Sequence, residues 1–218
     1  MERQSVLNDP LDRPRKRRAG RLTRSRILEA GMNVARSHGL DALTMRLVAD
    51  DLGSGTMSLY RHVVDRDDML RGMIELVGER VVHPPQKDDP VEEIVDIFST
   101  IYRAFRADPW VVRYLVDGNI GSRRIFPLVE RIMLALEALK FAGGDAWRMF
   151  NMLLHYTYGE VLVIDGAQRR LALAQKPEPE FLQNFPAIAR NLMAAAGEQG
   201  SSDPFQRNIR RLLQNLSP

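Results

Sequence analysis

Side chains that form hydrogen bonds are concentrated between residues 56 and 62. They carry hydroxyl, guanidinium or imidazole groups and belong to Thr56, Ser58, Tyr60, Arg61 and His62. Leu59 lies among them and can anchor a helix from its buried side, which leaves the polar groups outside. Such groups donate hydrogen bonds to phosphate oxygens and base edges. The segment favours recognition of a nucleic acid; the alternative is an ordinary helix that shows its polar face to water.

Two short helices joined by a tight turn must position this segment. The first has apolar residues at helical spacing, which are Leu47, Val48 and Leu52. Ala49 is small where a second helix crosses closely, and Gly53 suits the left-handed conformation at a helix end. Thr56 is expected to cap a second helix from Met57 to about His62. This order is typical of a helix-turn-helix that reads DNA.

Amphipathic helices are predicted on both sides of this motif. Asp65 can cap the helix that follows, and Asp68 lies three residues on in the capping-box position. The apolar residues of that helix form one stripe: Met69, Leu70, Met73, Ile74, Val77 and Val81. Upstream, Thr23 caps another helix, which His38 and Gly39 close. Together these helices predict a small core.

Residues 22 to 70, LTRSRILEAGMNVARSHGLDALTMRLVADDLGSGTMSLYRHVVDRDDML, resemble the N-terminal domain of the tetracycline-repressor (TetR) family of bacterial one-component regulators. The order of helices and the LYRHV segment carry the resemblance. Ser54 departs from the family, where an apolar turn residue is usual, and so does the run from Val64 to Arg66. Arg66 keeps a cation at a position that in the family commonly touches phosphate.

The charge of the chain is asymmetric. Residues 1 to 62 hold twelve Lys and Arg against seven Asp and Glu, whereas the whole chain has a net charge of only +3. A positive field at this end suits a polyanion. The densest run, RPRKRRAGR at residues 13–21, lies in a predicted flexible basic arm, residues 1–20. The arm either tracks phosphates or a minor groove, or is a solvated tail.

Composition and motifs argue against several other classes. The chain has no cysteine, no apolar run long enough to span a membrane and no signal-peptide pattern, so a cytoplasmic protein without a membrane partner is expected. Its four histidines show no paired metal spacing, and glycine-rich phosphate loops and nucleophile turns are absent. We therefore expect no enzyme, no catalytic residue, no cofactor and no metal.

Beyond residue 83 the pattern predicts only helices. Proline and glycine breaks divide the chain into helices at about 91–107, 110–116, 123–140, 145–174, 181–196 and 204–216, with a proline-rich loop at 175–180. The predicted fold is all-α. A three-helix helix-turn-helix domain at residues 21–66 is joined by a long helix to a larger helical ligand-binding and dimerisation domain at residues 67–218.

A homodimer is predicted from two helices of the second domain. The helix from residue 145 carries apolar residues on several faces, and the last helix has one apolar stripe. Two such helices from each subunit can form a four-helix bundle. The candidate interface residues are Trp147, Leu154, Tyr158, Leu162, Phe205, Ile209, Leu212, Leu213 and Leu216. The alternative is that both stripes belong to an intramolecular core.

The family resemblance further implies a small-molecule pocket in the second domain, whose effector shifts the fourth helix and the reading heads. The candidate lining is rich in aromatic residues and methionine: Phe98, Tyr102, Phe105, Trp110, Tyr114, Met133, Phe150, Met152, His155 and Tyr156. These side chains suit a mostly apolar effector, and the alternative for each is plain packing. Asp108, Pro109 and Trp110 stand where tetracycline chemistry calls for a histidine, so tetracycline is not expected.

The predicted function is a ligand-responsive regulator, most simply a repressor, that binds a palindromic double-stranded DNA operator as a homodimer. Phosphate contacts are expected mainly from Thr56, Ser58, Tyr60, His62 and Arg66, base contacts from Met57 and Arg61, and a further DNA contact from Thr44. The competing hypothesis is a constitutive or architectural DNA-binding protein without an effector; a helical protein whose basic end binds RNA is more remote.

Overall fold

A computed structural model describes residues 21–141, 143–171, 184–197 and 203–216. Every regular element in these ranges is a helix, which confirms the all-α prediction. The predicted basic arm at residues 1–20 and the predicted loop at 175–180 lie outside the described residues.

The helices of the first part of the chain are α1 (Arg24–His38), α2 (Met45–Asp51), α3 (Thr56–Leu59) and α4 (Arg66–Arg80). The second part contains α5 (Pro90–Ala107), α6 (Trp110–Val116), α7 (Phe126–Ala138) and α8 (Gly144–Leu171), with a 3-10 turn, Arg123–Ile125, before α7. Two further helices are α9 (Pro186–Gly197) and α10 (Pro204–Leu216).

Local capping explains most helix boundaries. The Thr23 hydroxyl accepts a hydrogen bond from the Arg26 amide at 3.3 Å, and Gly39 ends α1 with a φ of 85°. Asp65 caps α4 by accepting from the Asp68 amide at 2.7 Å. Gly53 adopts a φ of 61° in the turn after α2. These features confirm the helix ends predicted at Thr23, Gly39, Gly53 and Asp65, whereas the Asp68 carboxylate accepts from the Val64 amide and not from Asp65 as a capping box requires.

The reading helix α3 differs from its prediction. It begins at Thr56 and ends at Leu59, and its N-cap is Gly55, which has no side chain to cap with. The prediction that Thr56 caps this helix was therefore wrong. Tyr60 continues in helical conformation, and the His62 amide donates to the Leu59 carbonyl at 2.8 Å. The extension predicted to residue 62 is a turn.

The first core, which we call the head core, lies between α1, α2, α3 and α4. Its centre consists of fully buried side chains from α1 to α4: Ile27, Met32, Val48, Leu59, Met69 and Met73. Trp110, Val111 and Tyr114 of α6 belong to the same cluster. The core therefore extends beyond residue 66 into α4 and α6.

The second core, which we call the body core, lies between α5, α7, α8 and α10. Its fully buried members include Ile94, Phe98, Leu128, Ile132, Leu136 and Leu153. The last helix closes one side of it, with Phe205, Ile209 and Leu213 buried against α5. Arg210 holds this helix to Glu92 through two hydrogen bonds of 2.7 and 2.9 Å.

This packing corrects the interface predicted for the last helix. Its apolar stripe is occupied within the same chain, so Phe205, Ile209 and Leu213 cannot also face a partner. Leu212 is partly buried against the same core. The side chain of Leu216 lies outside the described residues. An amphipathic stripe shows that a helix is covered on one side, but it does not show by what.

Candidate nucleic-acid interface and internal cavity

The segment around α3 presents its polar side chains outward from one buried anchor. Leu59 is fully buried in the head core, whereas Met57 is 78% exposed and Tyr60 48% exposed. Arg61 is exposed as well, and the remaining predicted contacts Thr56, Ser58 and His62 are half-buried. The structure therefore brings the predicted α3 residues to one surface, with Met57, Tyr60 and Arg61 protruding furthest.

Helix α2 adds two groups to this region. Thr44 is exposed, and its hydroxyl accepts from the Leu47 amide at 3.1 Å, so it caps α2. Arg46 is an exposed cation one residue into the helix, and the part of the chain that the structure describes gives it no ion pair. Arg46 was not among the predicted DNA contacts, although the sequence shows an arginine at the start of the motif.

An ion pair fixes the turn that follows α3. The Arg24 guanidinium donates to both Asp68 carboxylate oxygens at 2.8 Å and to the His62 carbonyl at 2.9 Å. Asp68 also accepts from the Val64 amide at 3.0 Å. The hydrogen bond from Arg24 and the one from Val64 lower the pKa of Asp68 to about 2. The start of α1 thus holds the reading segment in place.

Arg66 requires a correction. Its Nε donates to the Leu43 carbonyl at 2.8 Å and its Nη2 to the Leu40 carbonyl at 3.0 Å. The guanidinium satisfies carbonyls of the loop between α1 and α2, because it starts α4 directly beside that loop. This geometry favours a structural role and does not favour the predicted phosphate contact.

A second ion pair joins α1 to the junction between α5 and α6. Arg36 of α1 forms a bidentate pair with Asp108, at 2.8 and 3.0 Å. Asp108 is only 4% exposed, and it also accepts from the Trp110 indole at 2.8 Å. A buried carboxylate between α5 and α6 is therefore satisfied by α1, which ties the position of the head to these two helices.

A cavity of about 280 Å³ lies beside α4, between the two cores. Its wall is almost entirely apolar and draws on α4 to α8 and the loop before α7. The residues that line it are Ile74, Val77, Gly78, Val81, Ile101, Ala104, Phe105, Val111, Leu115, Asn119, Gly121, Ser122, Ile125, Phe126, Val129, Trp147, Phe150, Leu154 and Tyr158. Of the predicted pocket residues, Phe105 and Phe150 are in this wall.

Three predicted interface residues also line the cavity, namely Trp147, Leu154 and Tyr158. Trp147 is nevertheless 55% exposed, so the prediction that this stripe of α8 faces a second subunit stays a prediction. Leu162 is partly buried against the body core. Phe126 and the 119–122 loop were missed, because nothing in their sequence distinguishes a cavity wall from a turn.

Several predicted pocket residues belong to packed cores instead. Phe98 is fully buried. Tyr102 stacks on Phe205 with ring centroids 4.1 Å apart, and Tyr156 also stacks on Phe205, at 5.6 Å. The Tyr156 hydroxyl accepts from the Asn208 amide at 2.9 Å. The last helix fills the space that these aromatic residues were predicted to line.

The other predicted pocket residues lie elsewhere for simple reasons. Trp110 and Tyr114 face the head core, because α6 packs on that side. Met133 is partly buried against the body core. Met152 and His155 are exposed on the outer face of α8. These five residues therefore lie outside the wall of the cavity described above.

Close contact joins α4 to the cavity loop. A Cβ on Gly78 would lie 2.1 Å from the Ser122 hydroxyl, so no side chain fits there. Ser122 in turn donates to Glu75 of α4 at 2.8 Å. The loop that closes the cavity is thus held against the same helix that enters the head core.

Two further properties of the described residues bear on chemistry. They contain no group of three or more potential metal-ligating side chains close enough to hold an ion. No helix among them is long and apolar enough to cross a membrane.

Comparisons with known proteins agree with this geometry. Residues 27–73 match the family model for bacterial regulatory proteins of the tetR family, and residues 84–217 match the tetracyclin repressor-like C-terminal domain. The HTH-type transcriptional repressor DrrR1 of Streptomyces coeruleorubidus is 39% identical over 211 residues, which cover 89% of this chain and 77% of that protein. An HTH-type transcriptional regulator of Saccharopolyspora erythraea is 27% identical over 205 residues, 90% of this chain and 85% of that protein.

A solved structure extends the likeness to the whole fold. The crystal structure of the Streptomyces coelicolor TetR family protein ActR in complex with (S)-DNPA has a TM-score of 0.62 and 26% identity, and the match covers 89% of this chain and 96% of that one. Both family models, a curated repressor and a shared fold therefore agree. The chain belongs to the tetR family of bacterial regulatory proteins and is a DNA-binding transcriptional repressor.

Proposed function

We propose that the protein binds a palindromic operator as a homodimer and that a small, mostly apolar effector in the cavity releases it. The observation that carries this proposal is the position of the cavity. Ile74, Val77 and Gly78 of α4 form part of its wall, and Met69 and Met73 of the same helix are fully buried in the head core. One helix therefore contacts both the effector site and the reading head.

The physical mechanism is a shift between head positions. An effector that fits the cavity better when α4 has moved would stabilise that arrangement in proportion to its difference in affinity. The contacts of Ser122 with Glu75 and Gly78 would carry the movement into α4, and the Arg36 to Asp108 pair would carry it into α1. The structure of ActR in complex with (S)-DNPA supports the binding of a ligand by a protein of this fold.

In the DNA complex, we assign base contacts to Met57 of α3 and to Arg61 of the turn that follows it, since both side chains are exposed. Phosphate contacts are assigned to Thr44, Thr56, Ser58, Tyr60 and His62. Replacing Arg61 with alanine is then expected to relax sequence preference at one or two positions. Replacing Tyr60 with alanine is expected to weaken binding to all sequences alike, and the reverse pattern would overturn the assignment.

The homodimer is proposed to use the outer face of α8 in place of its predicted stripe. Met152, His155, Gly159 and Val163 recur at helical spacing on this face and are exposed, Val163 at 70%. One short reading helix contacts few base pairs, so a second half-site is needed for specificity. We expect the protein to act in the cytoplasm, where bacterial DNA lies.

The test is binding to the DNA that flanks the protein's own gene, measured by mobility shift with scrambled competitor at two salt concentrations. A discrete, competitor-resistant complex with footprints on two symmetric half-sites would support the proposal. Weak binding that disappears with salt and shows no preferred site would favour a non-specific, architectural protein instead.

A further inference from the structure

The side of the cavity wall formed by α8 and α5 is aromatic. Trp147 and Phe150 have ring centroids 5.4 Å apart, and Phe105 and Tyr158 form a second pair at 5.7 Å. Trp147 and Phe126 both line the cavity and are nevertheless 55% and 56% exposed, so they stand at its opening. Flat aromatic molecules gain from stacking on such rings and would cover them.

Charged ligands do not suit this wall. Among the described residues that line the cavity there is no Asp, Glu, Lys, Arg or His. Moving an ion from water into an apolar site without a partner of opposite charge is strongly unfavourable. The site therefore selects neutral molecules over their charged analogues.

The polar groups of the cavity wall differ in whether they already form a hydrogen bond within the protein. The Ser122 hydroxyl donates a hydrogen bond to Glu75, and the Asn119 side-chain amide donates to the Tyr114 carbonyl at 2.9 Å. The Tyr158 hydroxyl forms no hydrogen bond to any residue that the structure describes. Burial raises the pKa of Tyr158 to about 12, so the hydroxyl stays protonated and can donate. Because Tyr158 lines the cavity, this donor is available to an oxygen atom of a bound ligand.

We propose that the cavity binds a neutral, planar aromatic molecule of two or three fused rings whose carbonyl oxygen accepts a hydrogen bond from Tyr158. A volume of about 280 Å³ is at the small end for ligand pockets and suits such a size. This inference rests on the proposed function, since it names the class of effector for the same cavity.

Three compounds with one ring system test each property separately. They are 2-acetylnaphthalene, which has a carbonyl; 2-ethylnaphthalene, which has none; and 2-naphthoate, which is charged. Binding is followed at neutral pH without DNA, by the change in tryptophan fluorescence and by equilibrium dialysis. The ketone is expected to bind about 3- to 10-fold more tightly than the hydrocarbon. It should bind on the order of 100-fold more tightly than the carboxylate.

Variants of two tyrosines place the hydrogen bond. Tyr158→Phe should abolish the preference for the ketone and leave 2-ethylnaphthalene binding unchanged. Tyr156→Phe is the matched control, because its hydroxyl bonds to Asn208 outside the cavity wall, and it should keep the preference. A Trp147→Phe variant should lose most of the fluorescence change, since Trp110 lies in the head core.

Several results would overturn the inference. These are binding of 2-naphthoate as tight as that of the ketone, a ketone preference that survives Tyr158→Phe, or no binding of any of the three compounds. The proposed function fails in a different way, through a ketone that binds the cavity yet leaves the operator complex intact. DNA-free binding and operator release are therefore measured separately.

Discussion

The head core and the body core are built from similar side chains but differ in how completely they are filled. In the head, a Cβ added to Gly31 would approach the Met73 sulfur to 2.9 Å, which shows how tightly α1 and α4 pack. In the body, α10 fills one side and the other side encloses a cavity of about 280 Å³ next to α4. The head core is therefore filled around α3, whereas space remains beside α4 next to the body core.

The largest expected difference comes from the same substitution in each region. Leu59→Ala removes a fully buried side chain from the head core and should lower the free energy of unfolding by about 3–5 kcal/mol. Leu154→Ala removes a half-buried residue from the cavity wall and should lower it by less than about 2 kcal/mol, because no filled space is emptied. Chemical denaturation measures both, and equal losses would show that the cavity wall is as tightly packed as the head.

The link between the regions should have the next largest effect. Asp108→Asn leaves Arg36 without its buried carboxylate and is expected to destabilise the protein by about 2–3 kcal/mol. Glu29→Gln is the control, since its pair with Arg80 is exposed, and it should cost less than about 1 kcal/mol. Thermal unfolding compares the two; similar shifts would mean that the buried pair does not join head and body.

The contact between α4 and the cavity loop should be sensitive to one methyl group. Gly78→Ala places a Cβ 2.1 Å from the Ser122 hydroxyl and is expected to cost about 1–3 kcal/mol in the free energy of unfolding. Adding Ser122→Gly removes the clash but also the hydrogen bond from Ser122 to Glu75, so it should restore only part of that loss. Gly166→Ala of α8 meets nothing within 4 Å and should be neutral or stabilising by up to about 1 kcal/mol. A Gly78→Ala variant as stable as the wild type would show that the loop is not held against α4.

The smallest effect is the pH dependence of the head. Because the folded pKa of Asp68 is about 2 and its ordinary value is 3.8, its pairing stabilises the fold above about pH 4. That stabilisation disappears as the pH falls toward 2. It is expected to be about 1 kcal/mol, since the pair is partly exposed. The difference in unfolding free energy between wild type and Asp68→Asn should stay constant above pH 5 and vanish near pH 2; a difference that persists there would contradict the assignment.

The head was predictable because its signals are local. Thr23, Gly39, Gly53 and Asp65 act on backbone groups a few residues away, and the structure has each in its predicted role. Thr56 failed because Gly55 already stands at the N-cap of α3. The bidentate pair between Arg24 and Asp68 joins residues 44 positions apart, and no spacing rule reveals it.

The helices around the body core were predictable from the sequence, but the residues of the cavity wall were not. Tyr102 and Phe105 are neighbours on α5 and equally aromatic, yet Tyr102 stacks on Phe205 of α10 while Phe105 lines the cavity. The position of α10 determines which of the two residues is covered. Its packing depends on contacts with residues about a hundred positions away, such as Tyr102 with Phe205. Residue type alone therefore did not separate a packed core from a pocket wall.

The most direct test of the cavity's role uses the absence of cysteine from the chain. Val129→Cys places a single thiol in the cavity wall, and benzyl methanethiosulfonate then fills the space with an aromatic ring whatever the natural effector is. Val116→Cys, which is exposed and outside the cavity wall, is the matched control. Operator affinity is measured before labelling, after labelling and after reduction. We expect labelled Val129→Cys to lose operator affinity by about 10-fold or more and to regain it on reduction, with no change in the control. Unchanged operator affinity after complete labelling of Val129→Cys would contradict control of DNA binding by the cavity.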